Sequence, residues 1–497
     1  WKSSQNSKGI RLMSMKYMNK SIKELHELLV AKKVTAKQLT EEAIELAKSN
    51  TNNLLEATNY EQALKEAEAI TEVKEEEFFK GIPYIAKDNI STKGLETTAS
   101  SKILEGYVPI FDAEVITRLK NAGAILIAKS TLDELAMGGT GTSGHKGVTT
   151  NPYNPEHLIG GSSCGSAAAV AAGIVPFALG SDTGDSVRKP ASFAGLVGIK
   201  PSWGRISRLG LFPFATSMDA IGYFTRNVYD SAKVLELLAG YDEKDMSSSK
   251  KEVENYSHFE KDTSSKIGYF KAIIDNLPDE DVKNSFFKVL EELKKQGHEI
   301  IAYDFPQDLL NAIYPTYMVL SCAEATSNNA NLDGIRFGPN VENAKDYEDY
   351  IMKARTAGFS DMIKRRFIIG SFSLLAENQD ELFRNAQRAR RLIVNELNKF
   401  FEVADHLVLP ASPSVAPLIS SVTTTWSKKP DFVDNHMALA NFSGSPSITL
   451  PLGFKNDLPF GINITTRPFE EKKLFDIALN IEEITKLKDL VANKEEK

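Results

Sequence analysis

Three short segments carry the residue types and spacing that could do chemistry. They read Gly81-Ile82-Pro83-Tyr84-Ile85-Ala86-Lys87-Asp88-Asn89, then Gly160-Gly161-Ser162-Ser163-Cys164-Gly165-Ser166, then Gly180-Ser181-Asp182-Thr183-Gly184-Asp185-Ser186-Val187-Arg188-Lys189-Pro190. Glycines accept positive φ, so backbone N–H groups in such loops can converge on a small anionic target. A helix starting after Gly165-Ser166 adds its positive end. Two kinds of site fit this density: a phosphate cradle, or an oxyanion hole beside a serine nucleophile. The phosphate reading is the weaker one. No GxxxxGK[ST] is present, and Gly160–Ser166 lacks the GxGxxG spacing. Taken singly, a Gly/Ser loop is ordinarily only a loop, and a single lysine is ordinarily a solvated surface group.

Together, however, the three segments resemble the amidase signature family. There a lysine in a Lys-Asp turn, the first serine of Gly-Gly-Ser-Ser-Gly-Gly-Ser and the serine closing Asp-Thr-Gly-Gly-Ser form a Ser–cisSer–Lys triad. The matching positions are Lys87, Ser162 and Ser186, the last two 24 residues apart. The likeness runs from Gly81 to beyond Arg226, through Gly198-Ile199-Lys200-Pro201, Gly204-Arg205 and Asp219-Ala220-Ile221-Gly222. It implies that Ser186 attacks a carboxamide, while Ser162 relays its proton to Lys87. A serine hydroxyl needs such a base. Lysine can serve only when neutral, which requires burial, and the apolar run Ile82–Ala86 leading into Lys87 suits that. The backbone N–H groups of Thr183, Gly184, Asp185 and Ser186 are then the expected oxyanion donors, each worth about 3 kcal/mol.

Two residues depart from the family pattern, which has glycine where Cys164 and Asp185 stand. Cys164 reads as a small buried filler rather than a nucleophile, since the motif implies no base for it. Asp185 puts a carboxylate beside a developing oxyanion. That opposes catalysis unless the side chain points away and only its N–H is used.

The second half resembles, within that family, the A-subunit of the amidotransferases that act on glutamyl-tRNA(Gln) or aspartyl-tRNA(Asn). The likeness rests on Ser321-Cys322-Ala323-Glu324-Ala325-Thr326-Ser327-Asn328, Asp333-Gly334-Ile335-Arg336-Phe337-Gly338, Gly358-Phe359, Lys364-Arg365-Arg366 and Ile369-Gly370. It implies a glutaminase whose ammonia serves transamidation. It also implies a substrate clamp of Arg366 for the α-carboxylate and Asp434 for the α-ammonium, Asp434 lying seven residues before Asn441. Taken alone, Lys364–Arg366 is a solvated basic helix face and Asp434 a helix cap or surface acid. The resemblance further implies a heterotrimer with the amidotransferase B- and C-subunits, with ATP and Mg²⁺ in the partner, tRNA held mainly by the partner, and no cofactor in this chain. Two other readings stand beside this one. One is a free-standing amidase on another small amide, the other a non-catalytic scaffold marked by Asp185.

The elements that must position these residues are those of an ordinary globular chain. Of 497 residues, 42 % are hydrophobic and 25 % charged, enough apolar surface for a sizeable core. A net charge of −7 argues against broad direct binding to a polyanion. Two cysteines and seven histidines without CxxC or HxxxH spacing give no metal framework and no disulfide scaffold, which fits a cytoplasmic protein. No run of 18 apolar residues predicts a membrane span.

Residues 1–17 read as a flexible leader and 18–80 as a helical region packed on the core. That region holds amphipathic helices over Ser21–Ser49, with a capping box at Thr35 and Gln38, and a third helix over Glu61–Glu77. Short apolar runs alternating with turns and helical stretches predict an α/β fold. It is a single large domain over 81–490, with a mixed twisted sheet covered by helices on both faces. A mainly helical segment occupies about 306–405, and 491–497 form a flexible tail.

Overall fold

The structure, a computed structural model, describes residues 15–260, 264–422 and 431–492. Eleven strands form one sheet: β1 (Leu55–Thr58), β2 (Pro83–Lys87), β3 (Ile125–Ser130), β4 (Phe177–Asp182), β5 (Val197–Lys200), β6 (Ala220–Thr225), β7 (Lys266–Phe270), β8 (Glu299–Tyr303), β9 (His406–Pro410), β10 (Ser447–Lys455) and β11 (Leu458–Thr465). Their order is β1-β3-β2-β4-β6-β5-β10-β11-β9-β7-β8. The β3–β2–β4 and β9–β7–β8 groups are parallel, and the joins between them run antiparallel. The expected mixed sheet flanked by helices is therefore what the chain forms.

Every residue of β2, β3, β4 and β6 is buried. Strands covered on both faces need no apolar–polar alternation, which is why Pro83–Ala86 and Ile125–Ala128 read as continuous apolar runs. The strand ends then carry polar side chains into the interior. Lys87 closes β2, Ser130 closes β3, and Ser181 and Asp182 close β4.

The N-terminal helices Ile22–Val30 and Ala36–Ser49 form as expected. Thr35 and Gln38 make the full capping box, with Gln38 N–H donating to Thr35 Oγ1 (3.2 Å) and Thr35 N–H to Gln38 Oε1 (3.0 Å). The third helix differs: it runs over Tyr60–Ala69 and stops well short of Glu77. The short strand β1 before it pairs antiparallel with β3, so the region ahead of residue 81 is not purely helical. The four-residue strand lies between helices and has no alternation long enough to announce it.

Of the expected leader, residues 1–14 lie outside the described residues. The N–H groups of Lys16 and Tyr17 donate to Glu42 Oε1 at 2.9 and 2.8 Å. At the other end Ala492 N–H donates to Ala171 O at 2.8 Å, so the start of the expected tail is bonded to the core, and residues 493–497 lie outside the described residues. The helical segment consists chiefly of Gln307–Asn328, Tyr347–Gly358, Asp361–Leu374 and Asn385–Val403. It brings Tyr314, Tyr317 and Arg366 over the β4 end of the sheet.

Candidate active site

Lys87 ends β2 with its side chain fully buried, and three hydroxyls surround its ammonium. Lys87 Nζ lies 2.7 Å from Ser162 Oγ, 2.9 Å from Ser163 Oγ and 2.9 Å from Ser181 Oγ. Burial pulls its pKa down to about 7, so a large neutral fraction exists near neutral pH. The adjoining Asp88 holds the turn by accepting from Thr98 N–H (2.7 Å) and Thr98 Oγ1 (2.8 Å).

Ser162 follows a cis Gly161–Ser162 peptide bond, just before the helix Cys164–Ala171. Gly161 is required by close approach, because a Cβ there would lie 1.9 Å from Asp133 Oδ2. That Asp133 carboxylate in turn gathers the N–H groups of Thr140, Gly141, Thr142 and Ser143. Ser186 sits in the turn between β4 and the helix Arg188–Ala194, and Ser163 N–H donates to its carbonyl at 3.1 Å. The Lys87–Ser162 contact is formed. The Ser186 hydroxyl, by contrast, has no hydrogen-bond partner among the described residues. The Ser186-to-Ser162 step of the expected relay is thus not a standing hydrogen bond here.

The turn carrying Ser186 is fixed from behind by a buried ion pair. Arg188 Nη2 lies 2.9 Å from Asp182 Oδ1, both side chains are wholly buried, and Val187 N–H donates to Asp182 Oδ2 at 3.0 Å. Arg188 also reaches Asn441 Oδ1 (2.7 Å) and Gly184 O (2.8 Å). With Asp182 and Arg188 holding its far side, the turn leaves the N–H groups of Thr183, Gly184, Asp185 and Ser186 without a protein acceptor among the described residues. Sequence reasoning missed Ser163, Ser181, Asp182, Arg188 and Asn441. Ser163 and Ser181 stood in plain view inside the Gly/Ser-rich motifs, yet only the folded chain shows that both face Lys87.

Asp185 does not turn into that cradle. Its Oδ2 lies 3.3 Å from Lys189 Nζ, which also reaches Asp434 Oδ1 and Asp434 O at 2.6 Å each. Burial lifts the Asp185 carboxyl above its ordinary range, and Lys189 draws it back. Burial also opposes the Lys189 ammonium, but Asp434 and Asp185 together more than offset this and leave its pKa above the ordinary lysine value. Asp434 therefore stands against Lys189, a partner that nothing in the local sequence signals. Arg366 lies with its guanidinium 5.8 Å from the Phe214 ring centroid. Its buried Nε and Nη1 have no hydrogen-bond partner among the described residues. A small pocket beside the turn is lined by Gly184, Asp185, Ile313, Tyr314, Tyr317, Asn435 and Ala438. The Tyr317 ring presses on Gly184, where a Cβ would approach to 3.0 Å.

Cys164 is buried at the start of its helix, and burial pushes its thiol up to about 12. A thiol held protonated in this way is no nucleophile at neutral pH. Among the described residues no cluster of three His, Cys, Asp or Glu side chains could hold a metal ion, and no helix is long and apolar enough to cross a membrane.

Residues 38–475 match the model of the amidase family. The chain belongs to the amidase family. It is 38 % identical to the glutamyl-tRNA(Gln) amidotransferase A-subunit of Pediococcus pentosaceus, across 95 % of this chain and 98 % of that one. The A-subunit of Staphylococcus epidermidis is also 38 % identical, across 97 % of this chain and all of its own length. Among solved structures, the glutamyl-tRNA(Gln) amidotransferase A-subunit of Thermotoga maritima superposes with a TM-score of 0.78 at 34 % identity, covering 95 % of this chain and 96 % of its own. The peptide amidase of Stenotrophomonas maltophilia superposes with a TM-score of 0.79 at 26 % identity, covering 94 % and 97 %. The likeness thus spans the whole amidase fold rather than a motif.

Proposed function

We propose that this chain is the ammonia-generating glutaminase subunit of a tRNA-dependent amidotransferase. The observation that carries this is the fully buried Lys87 at 2.7 Å from Ser162 Oγ, in a chain that matches amidotransferase A-subunit relatives over nearly its full length. In the mechanism, Ser186 Oγ attacks the side-chain amide carbon of glutamine. Its proton passes to Ser162 Oγ as Ser162 gives its own to neutral Lys87. The oxyanion is held by the N–H groups of the Thr183–Ser186 turn. Collapse breaks the C–N bond, and Lys87 returns its proton through Ser162 to the leaving ammonia. Water then enters by the same relay, cleaves the γ-glutamyl ester and restores the Ser186 hydroxyl, leaving glutamate.

Arg366 and Asp434 are the proposed clamp for the α-carboxylate and α-ammonium. Arg366 Nε and Nη1, without a hydrogen-bond partner among the described residues, suit a carboxylate, and Arg366 and Asp434 both act electrostatically on Tyr314, which lines the pocket. On this reading the product is Gln-tRNA(Gln), Asn-tRNA(Asn) or both. The B- and C-subunits complete a cytoplasmic heterotrimer, the partner holds tRNA, ATP and Mg²⁺, and this chain needs no cofactor. The scaffold reading is disfavoured, since Asp185 pairs with Lys189 rather than filling the oxyanion turn.

The test is ammonia release from glutamine by the purified chain, alone and with its co-purifying polypeptides. The reading expects release that rises several-fold with those polypeptides and charged tRNA. Equal hydrolysis of unrelated amides by the chain alone, with no response to partners, would favour a free-standing amidase.

A further inference from the structure

The most unusual feature of the site is a carboxylate next to the nucleophile, bridged by a buried ammonium to a second carboxylate. Lys189 Nζ sits 2.6 Å from Asp434 Oδ1 and 3.3 Å from Asp185 Oδ2, with its side chain 8 % exposed. A buried ammonium this close to Asp434 should weaken any cationic group that Asp434 is to receive, by adding a unit positive charge within a few ångströms. Asp185 cancels that charge: one negative and one positive group sum to zero, the same balance as uncharged side chains at positions 185 and 189. Two other ionisable neighbours among the described residues leave this balance as it is. Arg188 is matched by Asp182 at 2.9 Å, and buried His436, with its pKa lowered to about 4 by burial, is neutral. Asp185 also lines the pocket beside Gly184 and Tyr317, which puts its charge within a few ångströms of whatever occupies that space.

We propose that Asp185 is a specificity-determining residue, whose carboxylate offsets Lys189 and so lets the pocket select an amide substrate carrying a free ammonium. The proposal rests on the serine-amidase reading of the same pocket and adds the group that sets its charge preference. Lys189 is the positioning partner: it orients Asp434 by holding both its carboxylate and its carbonyl. Lys189 also keeps the Asp185 side chain turned from the backbone cradle where the oxyanion forms.

The measurement uses the chain with its co-purifying polypeptides and two probes that differ only in the ammonium: glutamine and 4-carbamoylbutanoate. Asp185→Asn removes the charge with little change of shape. It should raise the KM for glutamine about ten-fold more than the KM for 4-carbamoylbutanoate, as expected for one unit charge lost a few ångströms from the ammonium in a partly wet pocket. Lys189→Gln should move the same KM ratio the opposite way. The double variant should return the ratio to within about two-fold of the parent, because the two charges cancel. Equal changes for both probes, or a double variant no better than Asp185→Asn, would overturn the proposal and leave Asp185 a purely steric part of the turn. If Asp185→Asn does not fold, Lys189→Gln still decides through its opposite sign. If the parent releases no ammonia from glutamine, the glutaminase reading fails separately. The variants are then read on leucinamide against 4-methylpentanamide, where an unchanged ratio overturns the charge preference itself.

Discussion

At the scale of single residues, the proposed chemistry turns on the protonation of Lys87. Its pKa is lowered to about 7, so acylation should be slow below that value, rise as pH climbs through it and level off above. Single-turnover ammonia release measured across pH 5.5–9 checks this, and a flat profile would remove Lys87 as the base. Lys87→Arg keeps a cation but cannot give up its proton, so it should cost at least about 10³ in kcat. Cys164→Ala should change kcat less than about three-fold, because the proposed relay does not use the buried thiol, which burial holds protonated. Loss of activity on that change would contradict the filler role. Lys87, Ser162 and Ser186 could be singled out in the sequence because each sits in a local motif, and the structure brings Lys87 and Ser162 into contact. Lys189 as the partner of Asp434 was not, since 245 residues separate the two and no local pattern links them.

At the scale of elements, the catalytic turn is only as firm as the ion pair behind it. Burial alone would raise the Asp182 carboxyl, but Arg188, helped by the Val187 N–H and Lys200, holds it below its ordinary range. Replacing Arg188 by Met strands Asp182 in the interior without its cation. We expect a loss of about 3–5 kcal/mol in denaturant unfolding. The exposed Lys473–Glu470 pair offers the contrast, and Lys473→Ala should cost less than about 1 kcal/mol. A small effect of Arg188→Met would show that the turn is held by other contacts. Capped amphipathic helices such as Ala36–Ser49 could be read directly, since the cap residues and the apolar stripe are local signals. The strands β5, β6 and β9 could not. They have four to six residues, are buried throughout and lack alternation, so periodicity cannot separate them from loops or helix fragments.

For the whole molecule, the sheet order is what makes a site out of distant motifs. β2 and β4 are neighbours although some ninety residues separate them, which sets Lys87 against Ser181 and the serine loop. The helical segment from Gln307 to Val403 closes the other side and supplies Tyr317 and Arg366. Mixed α/β character was evident from alternating apolar runs and helices, while the strand order follows from tertiary packing that no local pattern encodes. The central claim is that Ser186 attacks the amide and carries the acyl group. It is tested most directly by acid-quenching the enzyme during turnover of glutamine and mapping the modified peptide by mass spectrometry. A γ-glutamyl ester on Ser186, absent from Ser186→Ala, is the expected result. An adduct on Ser162 or Cys164, or ammonia release that survives Ser186→Ala, would contradict it.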